Sequence, residues 1–179
     1  MRLKLVFPII FISLFSCKKE KDIDSLRVVR PNINEESFNV ELNVEVLKDD
    51  TFSLYYTTDG STDFKDNPIW KELEGNTSAQ SITYTLPKKV IPTQLRLDFG
   101  MNPDQETIKL NYVKLKYKEK EKTIAIPELG SFFRADESKC VFNASTGEIT
   151  AKIIDNKRQF PSLYPHETVL DPEIQKLIQ

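Results

Sequence analysis

From Phe38 to Val46 apolar and polar side chains alternate without a break: Phe38, Val40, Leu42, Val44 and Val46 against Asn39, Glu41, Asn43 and Glu45. A period of two held over this length predicts a strand with one dry face and one wet face. The same period recurs in Phe52-Ser-Leu54-Tyr-Tyr56, Ile82-Thr-Tyr84-Thr-Leu86 and Leu95-Arg-Leu97-Asp-Phe99, with a weaker run from Ile69 to Leu73. Turn-forming clusters separate these runs at Lys48-Asp-Asp50, Asp59-Gly60, Asp66-Asn-Pro68, Gly75-Asn76 and between Pro87 and Pro92.

Between Thr107 and Lys118 the pattern changes phase. Ile108, Leu110 and Tyr112 share one parity, whereas Val113, Leu115 and Tyr117 take the other. One extra residue near Tyr112-Val113 restores the register, which predicts a β-bulge or sharp bend there; a strand buried on both faces is the alternative. Lys109, Lys114, Lys116 and Lys118 fall on the polar side and predict a solvated edge or outer face. Further strands are expected at Thr123–Ile126, Lys139–Phe142 and Ile149–Ile154, the last two joined across Asn143 to Gly147. Pro127 to Arg134 predicts a helical turn or a loop plugging one end of the core. Phe160 to His166, with two prolines, should be extended. Asp171 to Gln179 predicts a short helix with Asp171 as N-cap, Pro172 at the first helical position, and Ile174, Leu177 and Ile178 on one side. Eight or nine short strands without a long helical pattern predict an all-β protein, an antiparallel β-sandwich with a short C-terminal helix, in one domain over residues 35–179.

The N-terminus reads as a targeting device. Arg2 and Lys4 precede an eleven-residue apolar stretch from Leu5 to Phe15. At about 1.5 Å per residue this covers only about half of a ~30 Å hydrocarbon core, so it is too short to span a membrane. Leu14-Phe15-Ser16-Cys17 resembles the bacterial lipobox, which implies a signal peptide over residues 1–16 and a lipid on the Cys17 thiol. Several acyl chains there would give stable anchorage, at about 0.8 kcal/mol per buried CH₂. Residues 17–34 open with Lys18-Lys-Glu-Lys-Asp22 and read as a charged, flexible tether. The Cys-Lys-Lys-acidic start is similar to lipoproteins of the Bacteroidetes group. It implies a cell-envelope location at the outer membrane, with either the periplasmic or the surface face open, and a membrane partner through Cys17.

Composition narrows the chemistry. With 39% apolar residues the chain can build a core, and a formal charge of −2 with Glu119 and Glu121 interrupting the lysine run argues against a nucleic-acid partner. There is no Gly-x-Ser-x-Gly, Walker, His-Glu-x-x-His or Cys-x-x-Cys pattern. One histidine, His166, and two cysteines exclude most zinc and thiol sites; with Cys17 acylated, Cys140 is expected as a small buried hydrophobe. No cofactor is expected. The loop carrying Asp59, Asp63 and Asp66 has oxygen ligands that could meet Ca²⁺, but it lacks the EF-hand register, and a solvated turn-rich loop is the simpler reading. A carboxylate-dependent hydrolase needs only two acids and stays open among 27 acidic residues.

The order Phe52-Ser-Leu-Tyr-Tyr56, an acidic turn, Ile82-Thr-Tyr-Thr-Leu-Pro87, Leu95-Arg-Leu-Asp-Phe-Gly100 and Ile108 to Leu115 resembles the jelly-roll modules of the galactose-binding-like kind found beside polysaccharide-assembly and glycosyltransferase domains. The resemblance covers about residues 36–118 and leaves 119–179 as a C-terminal extension. It implies a jelly roll and a non-catalytic glycan-binding role. Within it, Arg96 and Asp98 share the polar parity of their strand and can pair side by side, as sugar-hydroxyl binders or as a structural salt bridge. Tyr55 and Trp70 lie off their strands' apolar parity and are candidate platforms for a pyranose face, unless another segment covers that side. A lipid-anchored module binding a glycan or cell-surface polymer is therefore expected. The alternatives are an envelope-complex subunit, which would show an apolar patch or open strand edge, and a small hydrolase.

Overall fold

Each alternating run becomes a strand whose apolar side chains turn inward. The computed structural model describes residues 37–65 and 68–179, within a unit running from Ile33 to Gln179. The leader, the tether, Cys17 and Asp66 lie outside the described residues. In chain order the elements are β1 (Asn39–Val46), β2 (Asp50–Thr57), β3 (Ile69–Leu73), β4 (Asn76–Thr85), β5 (Gln94–Asp98), β6 (Ile108–Tyr117) and β7 (Lys120–Ala125). They continue as α1 (Leu129–Phe132), β8 (Phe133–Ala135), β9 (Cys140–Asn143), β10 (Glu148–Ala151), β11 (Ile153–Ile154), β12 (Lys157–Arg158), β13 (Ser162–Pro165) and α2 (Glu167–Ile178).

Two large antiparallel sheets result, beside a two-stranded one formed by β11 and β12. The first runs β4-β1-β6-β10-β9, with β7 also on β6, and the second runs β3-β2-β5-β13-β8. Val40, Leu42, Val44, Val113 and Leu115 of the first sheet join Phe52, Leu54, Leu95, Leu97 and Leu163 of the second in one buried cluster. Fully burying such side chains stabilises the fold by about 1.5–3 kcal/mol each. The protein is an all-β antiparallel sandwich closed by a C-terminal helix.

The phase change in β6 is a bulge, placed at Asn111 rather than at Tyr112-Val113. Asn43 pairs with Tyr112 but Val44 with Leu110, so Asn111 is the extra residue. Its side-chain amide donates to Asn43 Oδ1 (3.0 Å) and Glu45 Oε1 (3.2 Å). That hydrogen bond, with Lys109 beyond it, holds the Glu45 carboxyl below its ordinary value. The same segment receives Gly147: Leu110 N–H donates to Gly147 O at 2.8 Å. Gly147 has φ +77°, and a Cβ there would lie 2.2 Å from Leu110 O, so only glycine fits.

Two other expectations are corrected, and the lysine-rich strand takes the second of its two expected places, the outer face. The lysine-rich strand is not an edge, since β6 lies between β1 on one side and β7 and β10 on the other. Lys109 and Lys114 stand on the sheet's outer face, near Glu45 (3.3 Å) and Glu41 (4.0 Å) respectively. The Ile149–Ile154 run divides into β10 and a separate hairpin, β11-β12, because Asp155 and Asn156 adopt positive φ (49° and 59°) and reverse the chain. The terminal helix starts at Glu167 with His166 as N-cap, and Pro172 lies inside it. Leu170, Ile174 and Leu177 supply the buried stripe, and Leu170 lies before the expected start. That stripe decides the boundary over the Asp-Pro signal. Its proline removes a bond only to the carbonyl of Thr168, an exposed residue that water can satisfy.

Candidate functional site

The outer face of the second sheet carries the chemistry. Because Phe52 and Leu54 turn inward, Thr51, Ser53 and Tyr55 on β2 turn outward, as do Trp70 and Glu72 on β3 and Arg96 and Asp98 on β5. Register aligns them into rows: Ser53 stands opposite both Trp70 and Asp98, and Tyr55 opposite Arg96.

Arg96 and Asp98 form the bidentate pair that their spacing allows, Nε to Oδ1 at 2.9 Å and Nη2 to Oδ2 at 2.7 Å. The guanidinium also lies over the Tyr55 ring, 3.9 Å from its centroid, with the Phe64 and Tyr164 rings each at 5.5 Å. Phe64, from the β2–β3 loop, packs edge-on against Tyr164 at 6.0 Å. Burial works against the charge of Arg96, and the hydrogen bonds and charge of Asp98 more than offset it, so its pKa rises above the ordinary value. This clamp fixes the orientation of both carboxylate oxygens and leaves their remaining lone pairs as acceptors.

Beside the clamp is a cavity of about 190 Å³ lined by Ser53, Tyr55, Trp70, Asp98, Met101 and Phe160 among others. Trp70, Met101 and Phe160 are exposed by 48%, 50% and 49%, so its rim presents apolar surface to water. Ser53 is 1% exposed, and its Oγ has no hydrogen-bond partner. Gly100 forms part of the wall with φ +73°, and a Cβ there would come within 3.0 Å of Asp50 Oδ2. An open groove of about 650 Å³ shares Thr51 and Met101 with this cavity and is lined by Asp49, Asp50, Glu72 and Glu74.

Of the four residues the sequence singled out, Tyr55, Trp70 and Asp98 therefore meet in one cavity, and Arg96 stands behind it holding Asp98. Ser53 shares the parity of Tyr55 and was legible by the same rule. Phe160 arrives from a distant segment and Met101 from just beyond the end of β5, and neither carries a local signal. Of the acidic-loop residues, Asp59 and Asp63 have separate local partners: Asp59 Oδ1 accepts from Ser61 N–H (3.0 Å), and Asp63 pairs with Lys65. Among the described residues no group of three or more His, Cys, Asp or Glu is placed to hold a metal ion. Cys140 is buried as expected, its Sγ 3.6 Å from Ser162 O, and burial pushes its thiol pKa up. It shares a cleft with His166, but no hydrogen bond joins the two.

No protein-family model, curated protein or solved structure matches the chain.

Proposed function

We propose that the protein is a lipid-anchored protein of a bacterial cell envelope whose sandwich binds a glycan on the outer face of the second sheet. The observation that carries this reading is the cavity where aromatic rings, a clamped carboxylate and an unsatisfied hydroxyl converge. A pyranose offers an apolar face that packs on rings and hydroxyls that need fixed acceptors and donors. Trp70, Tyr55 and Phe160 suit the first requirement, Asp98 and Ser53 the second. The volume falls below the roughly 300–1,000 Å³ of sites for drug-sized ligands and suits a single ring. The lipobox resemblance supports the anchor, and the galactose-binding-like resemblance supports the glycan.

A glycan array probed with the full chain in detergent tests the reading. Saturable binding is expected, lost in both Trp70→Ala and Asp98→Ala while the fold is kept. A blank array with folded protein would sink it. That outcome would favour the second reading, an envelope-complex subunit, for which one observation speaks. β4 pairs only with β1, and its ten residues include no charged residue and no proline. Such an edge lacks two of the usual guards against strand addition, charge and proline, and keeps an irregularity opposite Val44–Val46.

A further inference from the structure

We propose that the sugar taken at this cavity is N-acetylated, and that its acetamido group, rather than a ring hydroxyl, is the part that enters between Ser53 and Asp98. The inference rests on the glycan-binding reading and specifies its ligand.

The two polar groups come first. Ser53 is the most deeply buried polar side chain of the lining, and no group of the fold bonds its Oγ. Asp98 stands directly opposite it on β5, and paired side chains on antiparallel strands lie about 4.5–5.5 Å apart at Cβ. The two nevertheless make no hydrogen bond, because Arg96 holds both Asp98 oxygens, at 2.9 and 2.7 Å. A hydroxyl that can donate and a carboxylate that can accept are thus left side by side, and a ligand is what can join them.

The surroundings decide the kind of ligand group. Trp70, Met101 and Phe160 present apolar surface around the pair. A fitting group supplies a donor for Asp98, an acceptor for Ser53 and an apolar remainder for these three side chains. An acetamido group does all three: its N–H donates to Asp98, its C=O accepts from the Ser53 hydroxyl, and its methyl meets the apolar rim. A ring hydroxyl satisfies the two polar atoms but covers none of the apolar surface, and further hydroxyls driven in beside it would lose water without gaining partners. A carboxylate or sulfate brings no donor for Asp98 and sets like charge against it, and among the described residues no lysine or arginine lines the cavity to receive it.

The cavity is held in this shape from behind. Arg158 Nη1 donates to Gly100 O (3.0 Å) and Gln159 O (3.4 Å), and its Nε donates to Gln105 O (3.1 Å). These bonds tie the wall at Gly100 to the segment that carries Phe160, as Arg96 ties Asp98. A site fixed before its ligand arrives loses little freedom on binding it.

The test uses the full chain in detergent and four methyl glycosides: those of N-acetylglucosamine and N-acetylgalactosamine, and those of glucose and galactose, which differ from them only in bearing a hydroxyl in place of the acetamido group. In calorimetric titration at least one acetamido sugar should bind about tenfold or more tighter than its hydroxyl counterpart. Saturation-transfer NMR should place the protein closest to the acetyl methyl protons. In Ser53→Ala the margin should fall to about threefold or less. Equal affinity within both pairs, saturation centred on the ring protons, or a preference that survives in Ser53→Ala would overturn the inference while leaving glycan binding intact. N-acetylglycinamide bound as tightly as the acetamido sugar would also overturn it, because the cavity would then read an acylated amine without its sugar. If none of the four bound while the array returned another glycan, the inference alone would fall; a blank array would remove the reading beneath it.

Discussion

Two hydroxyls, Ser53 Oγ and Tyr84 Oη, are buried without a hydrogen-bond partner, and they differ in what they face. Leaving a buried polar group unpaired costs about 1–3 kcal/mol. Tyr84 is wholly enclosed in the core, where burial, reinforced by the charge of Asp98, pushes its phenol pKa up. Ser53 lines the cavity, where a ligand can supply the missing bond. Tyr84→Phe should therefore keep or raise Tm and leave glycan affinity unchanged. Ser53→Ala should likewise spare Tm but weaken binding several-fold. Thermal melts and titrations on both variants check the pair; a Tm drop of several degrees in Ser53→Ala would give its hydroxyl a structural role instead.

At the scale of elements, the bulge in β6 and the turn before β10 depend on one another. Asn111 shifts the strand's parity, and Gly147 brings the next hairpin onto Leu110 at a separation no side chain tolerates. Gly147→Ala combines left-handed strain with a backbone clash and should destabilise the protein by about 2–4 kcal/mol, read by urea denaturation. By contrast Gly60, also at positive φ (+81°), has open space around it, so Gly60→Ala should lose only the cost of the dihedral. The bulge was legible in the sequence because parity must switch when one face stays dry. Its position was not, because Tyr112 fits either parity and only the pairing with Asn43 chooses. The helix boundary was misplaced for a related reason: Asp171-Pro172 is a strong local start signal, and Leu170 overrides it by burial.

For the molecule as a whole, the proposed reading makes anchorage and recognition separate tasks. No helix among the described residues is long and apolar enough to cross a membrane. On the proposed reading the lipid at Cys17 holds the protein to the bilayer. Cys17→Ala should move the protein from the membrane fraction to the soluble fraction on sucrose-gradient separation, with the glycan affinity of the sandwich unchanged. Persistence in the membrane fraction would refute the lipid anchor.

The alternation of apolar and polar positions determined by itself that the chain makes strands with one dry face and one wet face, whereas their division into two packed sheets belongs to the tertiary structure. The same parity put Tyr55, Trp70, Arg96 and Asp98 outside the core. Tertiary structure alone decided that they meet. Ser53 stands between Trp70 and Asp98 only through the pairing of β2 with both β3 and β5, and Phe160 reaches the same rim from a segment more than sixty residues away in the chain. Local patterning fixes which face a side chain takes, because that depends on its own strand. Which side chains share that face depends on register between strands, which no single strand encodes.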